Sequence, residues 1–146
     1  MLSYQTLDTI ADAYTPLLAI LCLCFLIRLT MTRQWQRLLR EGALLLVGLI
    51  SAYAIMFTDQ YFSLWPYFEL DYSTHSAAAL VLVVSLSVMK VSLRGTWLLS
   101  LLCYFLLMLY QQYHSVADII STVLVVGGVM FPWALAAHSK GFKAAG

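Results

Sequence analysis

Residues 75–92 read HSAAALVLVVSLSVMKVS and contain no Asp, Glu, Lys or Arg before Lys90. A helix needs about 20 mostly apolar residues to cross a hydrocarbon core roughly 30 Å thick, and somewhat fewer where polar ends reach the headgroups. The stretch therefore predicts a membrane-spanning helix. It also places the imidazole of His75 at the point where the apolar run begins.

The rest of the chain has the same character. It has 146 residues, of which 62% are hydrophobic and 10% charged, and this is more apolar surface than one small soluble core could bury. The predicted spans are residues 14–31, 42–58, 75–92, 96–112 and 116–137. We therefore expect one domain, residues 1–146, that is an all-α integral membrane protein with a bundle of about five transmembrane helices.

The charged residues predict how this bundle is oriented. Every Lys and Arg falls in one of three places, the segment 28–40, the turn 90–94 or the tail 140–143. With five spans these places share one side, which the positive-inside rule makes cytoplasmic. The N-terminus is then outside and the C-terminus cytoplasmic.

Two connecting segments have compositions typical of the membrane interface. Residues 33–42, RQWQRLLREG, predict an amphipathic helix on the inner surface, where arginines meet anionic headgroups. Residues 59–70, DQYFSLWPYFEL, are rich in aromatic side chains that favour the outer interface. A lid or a rim through which lipid reaches a site is the alternative for the second segment.

Two histidines are expected to meet at the outer end of the bundle. His75 begins the third span and His114 lies in the turn before the fifth, 39 residues later, which corresponds to two crossings and a turn. Asp118 follows His114 by four positions, so its carboxylate can hold one ring nitrogen of His114. Ionisable groups at the edge of a bilayer are costly and tend to be functional.

Two kinds of chemistry suit two imidazoles and a carboxylate. The set could bind zinc or iron, although the H-E-x-x-H pattern of helical zinc hydrolases is absent. The alternative is in-line transfer at phosphorus, in which one imidazole attacks and the other protonates the leaving alcohol. We favour phosphorus, with no metal and no cofactor.

The segments YSTHSA at 72–77 and YHSVADII at 113–120 resemble the second and third motifs of the type 2 phosphatidic acid phosphatase superfamily, P-S-G-H and S-R-x5-H-x3-D. The resemblance implies that His114 is the phosphorus nucleophile, that Asp118 assists it and that His75 protonates the leaving group. It extends over residues 59–137.

The chain departs from that pattern in its basic residues. Residues 41–74 contain no Lys or Arg where the first motif, K-x6-R-P, should lie, and Met108 occupies the position of the third-motif arginine. A phosphomonoester normally requires a cationic clamp, so a monoanionic diester and head-group transfer are favoured. The pattern is also similar to the sphingomyelin synthase branch of the superfamily, whose D-Y pair Asp71 and Tyr72 imperfectly echo.

Without cations, uncharged groups must bind the substrate. The candidates are helix N-terminal amides near His75 and the side chains of Tyr72, Ser73, Thr74, Tyr110, Gln111, Gln112 and Tyr113. The expected partner is a membrane lipid and not a nucleic acid, and the expected location is a bacterial inner membrane with the site facing the periplasm. Two alternatives remain open: a superfamily member that has lost catalysis and binds lipid or assists assembly, and a metal-dependent hydrolase or oxidase.

Overall fold

The computed structural model describes residues 4–142, with side chains described from residue 5 to residue 136. The helices are α1 (Tyr4–Met31), α2 (Trp35–Phe62), α3 (Thr74–Met89), α4 (Arg94–Tyr110) and α5 (Val116–Phe142). Two short 3-10 turns, Pro66–Phe68 and Val91–Leu93, precede α3 and α4. No strand occurs within residues 4–142, so the predicted all-α class is confirmed.

Four segments are long and apolar enough to cross a membrane: Gln5–Met31, Trp35–Phe62, Val91–Tyr110 and Val116–Ala136. Their outward sides carry large aliphatic side chains such as Ile20, which is 58% exposed, and Leu99, which is 61% exposed. Contiguous exposed apolar surface of this kind marks contact with lipid or protein. The fold is an all-helical bundle with four helices long and apolar enough to span a membrane.

Helix α3 differs from the predicted span 75–92. It ends at Met89 after 16 residues, because the chain turns at Lys90 into the short Val91–Leu93 helix. It is apolar but shorter than the four long helices. The boundaries of α1 and α2 also differ, since both begin well before the predicted residues 14 and 42.

Helix α3 forms the centre of the bundle and packs against α1, α2, α4 and α5. Most of its side chains are buried, as expected of a helix that is apolar on every side. Small residues permit close approach to its neighbours. At Gly48 of α2, an added Cβ would lie 2.7 Å from Val81 Cγ1 and 2.9 Å from Met130 Cε.

Residues 33–42 do not form a separate surface helix, so that prediction is wrong. The chain reverses at residues 32–34, where Arg33 has φ 55°, and α2 then runs without interruption from Trp35. Arg37 and Glu41, which pair one turn apart, stabilise its first turns.

The chain segments sort to two ends of the bundle. The basic end contains Arg28, Arg37, Arg40 and Lys90, where α1 ends, α2 begins and α3 ends. The histidine end contains His75 and His114, where α3 begins and α4 is joined to α5. The basic tail residues Lys140 and Lys143, which also supported the predicted orientation, lie outside the described side chains.

Candidate active site at the histidine end

The start of α5 is tied to the segment before α3 by the carboxylate of Asp118. Its Oδ1 accepts a hydrogen bond from the backbone N–H of Asp71 at 2.8 Å, and its Oδ2 accepts one from the backbone N–H of Ser115 at 2.7 Å. Ser115 Oγ accepts in return from the backbone N–H of Asp118 at 3.2 Å. The last two bonds form a capping box, so Asp118 sets the position of both loops.

The imidazole of His114 faces a different carboxylate from the one expected. Its Nδ1 lies 3.5 Å from Asp71 Oδ2, and the His114 side chain is 12% exposed whereas that of Asp71 is 74% exposed. No hydrogen bond to Nδ1 is formed within the described part of the chain. The expected pairing of His114 with Asp118 is therefore replaced by proximity to Asp71, because backbone N–H groups occupy both oxygens of Asp118.

The turn between α4 and α5 places one polar side chain inside the protein. Gln111 is 5% exposed, and neither atom of its amide group has a hydrogen-bond partner among the described residues. Gln112, which has φ 57°, and Tyr113 are exposed. Buried polar groups are nearly always paired, so the amide of Gln111 is suited to contact a water molecule or a bound polar group.

His75 is the second residue of α3, and its side chain is exposed. Ser73 caps the same helix: its Oγ accepts from the backbone N–H of Ser76 at 3.3 Å, and its own backbone N–H donates to Thr122 Oγ1 at 3.1 Å. These contacts fix the start of α3 against α5. Across residues 5–136 no hydrogen bond or ion pair joins His75 to His114 or Asp118.

Two of the predicted substrate-binding residues have their hydroxyl groups engaged in the fold. Ser73 is fully buried and donates its hydroxyl hydrogen bond to Ser76 Oγ at 2.7 Å. Tyr72 is buried and donates to the backbone carbonyl of Ala52 at 2.8 Å. Burial, together with the nearby Asp59 carboxylate, raises the pKa of Tyr72 to about 12. Thr74, which is half-buried, and Tyr110, which is exposed, remain on the surface of this end.

Trp65 anchors the aromatic loop, and the sequence analysis did not single it out. Its backbone N–H donates to Asp59 Oδ1 at 2.7 Å, its indole Nε1 donates to Ser121 Oγ at 3.0 Å, and its ring lies edge-on to Tyr72 at 5.0 Å. The sequence alone does not distinguish a tryptophan that packs inside the protein from one that faces lipid, because both occur in aromatic interfacial segments. Four neighbours are exposed, namely Tyr61, Phe62, Tyr67 and Phe68.

The chemistry open to this end is set by its charges. No Lys or Arg occurs in residues 41–74 or 95–139, so imidazoles are the basic side chains at this end. Within the described residues, no group of three or more His, Cys, Asp or Glu side chains is placed to hold a metal ion. The three cysteines are free, and only Cys22 is buried.

No family of known proteins, no curated protein and no solved structure matches this chain.

Proposed function

We propose that this protein is an integral membrane enzyme that transfers the phosphate-bearing group of a lipid phosphodiester through a covalent intermediate on His114. The observation that carries the proposal is the pairing of a nearly covered imidazole with a carboxylate, His114 Nδ1 with Asp71 Oδ2 at 3.5 Å. A carboxylate at one ring nitrogen orients the ring and raises the basicity of the other nitrogen. Nε2 of His114 is then the attacking atom.

The reaction follows from these positions. Nε2 of His114 forms a bond to phosphorus while the bond from phosphorus to the leaving alcohol breaks. His75, as an imidazolium, gives its proton to the departing oxygen. A water molecule or a second alcohol then attacks phosphorus while neutral His75 takes its proton. The P–N bond breaks, and the imidazole of His114 and the imidazolium of His75 are both restored. Asp71 acts as a positioning residue, a role that the sequence analysis gave to Asp118.

The absence of Lys and Arg near the histidines favours a diester over a monoester. A monoester approaches two negative charges at neutral pH and needs cationic compensation as the bond breaks. A diester carries one negative charge, which an amide such as that of Gln111 and a protonated His75 can balance. The resemblance to the phosphatase superfamily supports the same assignment of His75 and His114.

The membrane topology is part of the proposal. α3 is the fifth crossing, the basic end is cytoplasmic and the histidine end faces the periplasm of a bacterial inner membrane. Two single-cysteine substitutions in a cysteine-free background test this orientation. Gln112→Cys is expected to react with an impermeant thiol reagent added to intact spheroplasts. Thr32→Cys should react only after lysis, and the reverse pattern would refute this topology.

The mechanism is tested with reconstituted protein and phosphatidylglycerol labelled at phosphorus. Wild type should acquire acid-labile label and His114→Gln should acquire none. Asp71→Asn should acquire it more slowly without loss of thermal stability. A substrate with a p-nitrophenyl leaving group needs no proton from the enzyme, so it should restore the rate of His75→Gln but not that of His114→Gln. Labelling of His114→Gln at the wild-type rate would refute the proposal.

A second function is favoured by one observation. Both carboxylate oxygens of Asp118 accept hydrogen bonds from backbone N–H groups, and no Lys or Arg lies nearby in the sequence. These features favour a member of the phosphatase superfamily that has lost catalysis and binds lipid. This second candidate predicts saturable binding of phosphatidylglycerol with no labelled protein and no product. The same labelling experiment therefore separates the two.

A further inference from the structure

A polar cavity lies at the basic end of the bundle, away from the histidines. Its volume is about 190 Å³, room for about six water molecules at roughly 30 Å³ each. It is bounded by the end of α1, the start of α2 and the end of α3, and its lining includes Arg28, Gln34, Arg37, Glu41 and Lys90. Apolar contacts come from Phe25, Leu29 and Met89.

Glu41 is a buried carboxylate with one oxygen unused. Glu41 is 2% exposed. Its Oε1 accepts a hydrogen bond from Arg37 Nε at 3.0 Å, and Arg40 Nη2 lies 3.5 Å from the same oxygen. Oε2 is buried without a hydrogen-bond partner in the described part of the chain. An unpaired buried acceptor on a charged group is costly, so this oxygen requires a donor.

The cations around the cavity exceed what Glu41 neutralises. Arg28, Arg37, Arg40 and Lys90 with one carboxylate leave a net charge of +3. Arg37 is held in place, because its Nη1 also donates to Gln34 Oε1 at 3.0 Å. Among the described residues, neither Arg28 nor Lys90 forms an ion pair. The cavity therefore offers anion-binding groups and one hydrogen-bond acceptor.

We propose that this cavity binds the headgroup of a phospholipid whose phosphate is esterified to a group carrying a hydrogen-bond donor. The phosphate would lie between Arg28 and Lys90, and a hydroxyl or ammonium of the headgroup would donate to Glu41 Oε2. Lipid is favoured over a soluble phosphate ester because the neighbouring surface is apolar: Met31 is 79% exposed and Trp35 is 55% exposed. The site is separate from the proposed catalytic one.

The experiment uses the full chain in nanodiscs of neutral lipid and native mass spectrometry to count bound lipids. The probes are phosphatidylglycerol and phosphatidylethanolamine, which carry donors, and phosphatidylcholine, which carries none. In addition to any lipid bound at the histidine end, we expect one saturable site that binds the first two at least tenfold more tightly than phosphatidylcholine. Soluble glycerol phosphate at millimolar concentration should not compete, and full competition would show a site for free phosphate esters and overturn the assignment to lipid.

Single substitutions locate the site. Arg28→Gln and Lys90→Gln alter exposed side chains. Each should raise the Kd for phosphatidylglycerol about tenfold, which corresponds to about 1.4 kcal/mol of binding free energy. Arg33→Gln is the matched control, since it removes the same charge from the same end but does not line the cavity. If Arg33→Gln weakened binding as much as the other two substitutions, diffuse surface charge would bind the lipid and the cavity would not. If phosphatidylcholine bound as tightly as phosphatidylglycerol, Glu41 would not accept a hydrogen bond from the headgroup. Either result overturns the proposal.

Discussion

Replacing Asp118 by Ala tests whether this carboxylate holds the histidine end together. The substitution removes two charge-assisted hydrogen bonds, to the backbone N–H groups of Asp71 and Ser115 at 2.8 and 2.7 Å. Each is worth about 1.5–3 kcal/mol net, so we expect the free energy of unfolding to fall by about 3–6 kcal/mol. Asp118→Asn keeps one acceptor and turns an amide N–H₂ toward a backbone N–H, so roughly half of that loss is expected.

The assay is equilibrium unfolding of the purified chain in mixed micelles by titration with SDS, followed by tryptophan fluorescence. Asp71→Asn is the matched control, because the side chain of Asp71 is 74% exposed and contributes only its backbone to the tie. It should change the free energy of unfolding by less than about 0.5 kcal/mol. Unfolding of Asp118→Ala at the wild-type SDS fraction, or equal destabilisation by Asp71→Asn, would refute the assignment.

Three further predictions concern packing and ionisation. Gly48→Ala should destabilise the bundle by about 1–3 kcal/mol through overlap with Val81, whereas Gly128→Ala, whose added Cβ has open space, should not; thermal unfolding of the pair in detergent decides this. Because the pKa of Tyr72 rises from 10.0 to about 12, its neutral form contributes stability below pH 10 that is lost as the pH rises toward 12; Tyr72→Phe should flatten the stability profile over that range. Trp65→Phe removes the indole hydrogen bond and keeps an aromatic ring, so a loss of about 1 kcal/mol is expected in the same unfolding assay.

The helical class could be predicted from the sequence because bilayer-length apolar runs leave few other folds. The ends of the helices were harder to predict. α2 begins at Trp35 rather than near residue 42 because the Arg37–Glu41 pair stabilises helical turns in a stretch whose charges indicated a surface segment. Hydropathy could not predict that α3 is the central helix. A helix surrounded by lipid and a helix surrounded by other apolar helices have the same composition.

The candidate site could be predicted only in outline. Sequence spacing places His114 and Asp118 one helical turn apart, but Asp118 lies in the first turn of α5, where unpaired backbone N–H groups compete for its carboxylate. Asp71 lies near His114 through tertiary contact, which no spacing rule reveals. The burial of Glu41 and the cavity at the basic end could not be predicted from the sequence either. One acidic residue among four arginines is also the composition of an ordinary cytoplasmic loop.

The length of α3 bears on how deep in a membrane its first turn, which contains His75, would lie. Sixteen residues rise about 24 Å, which is about 6 Å less than the roughly 30 Å hydrocarbon layer, so the polar segments at its ends complete the proposed crossing. The helices around it are longer, so under the proposed topology at least one end of α3 lies deeper in the membrane than the ends of its neighbours.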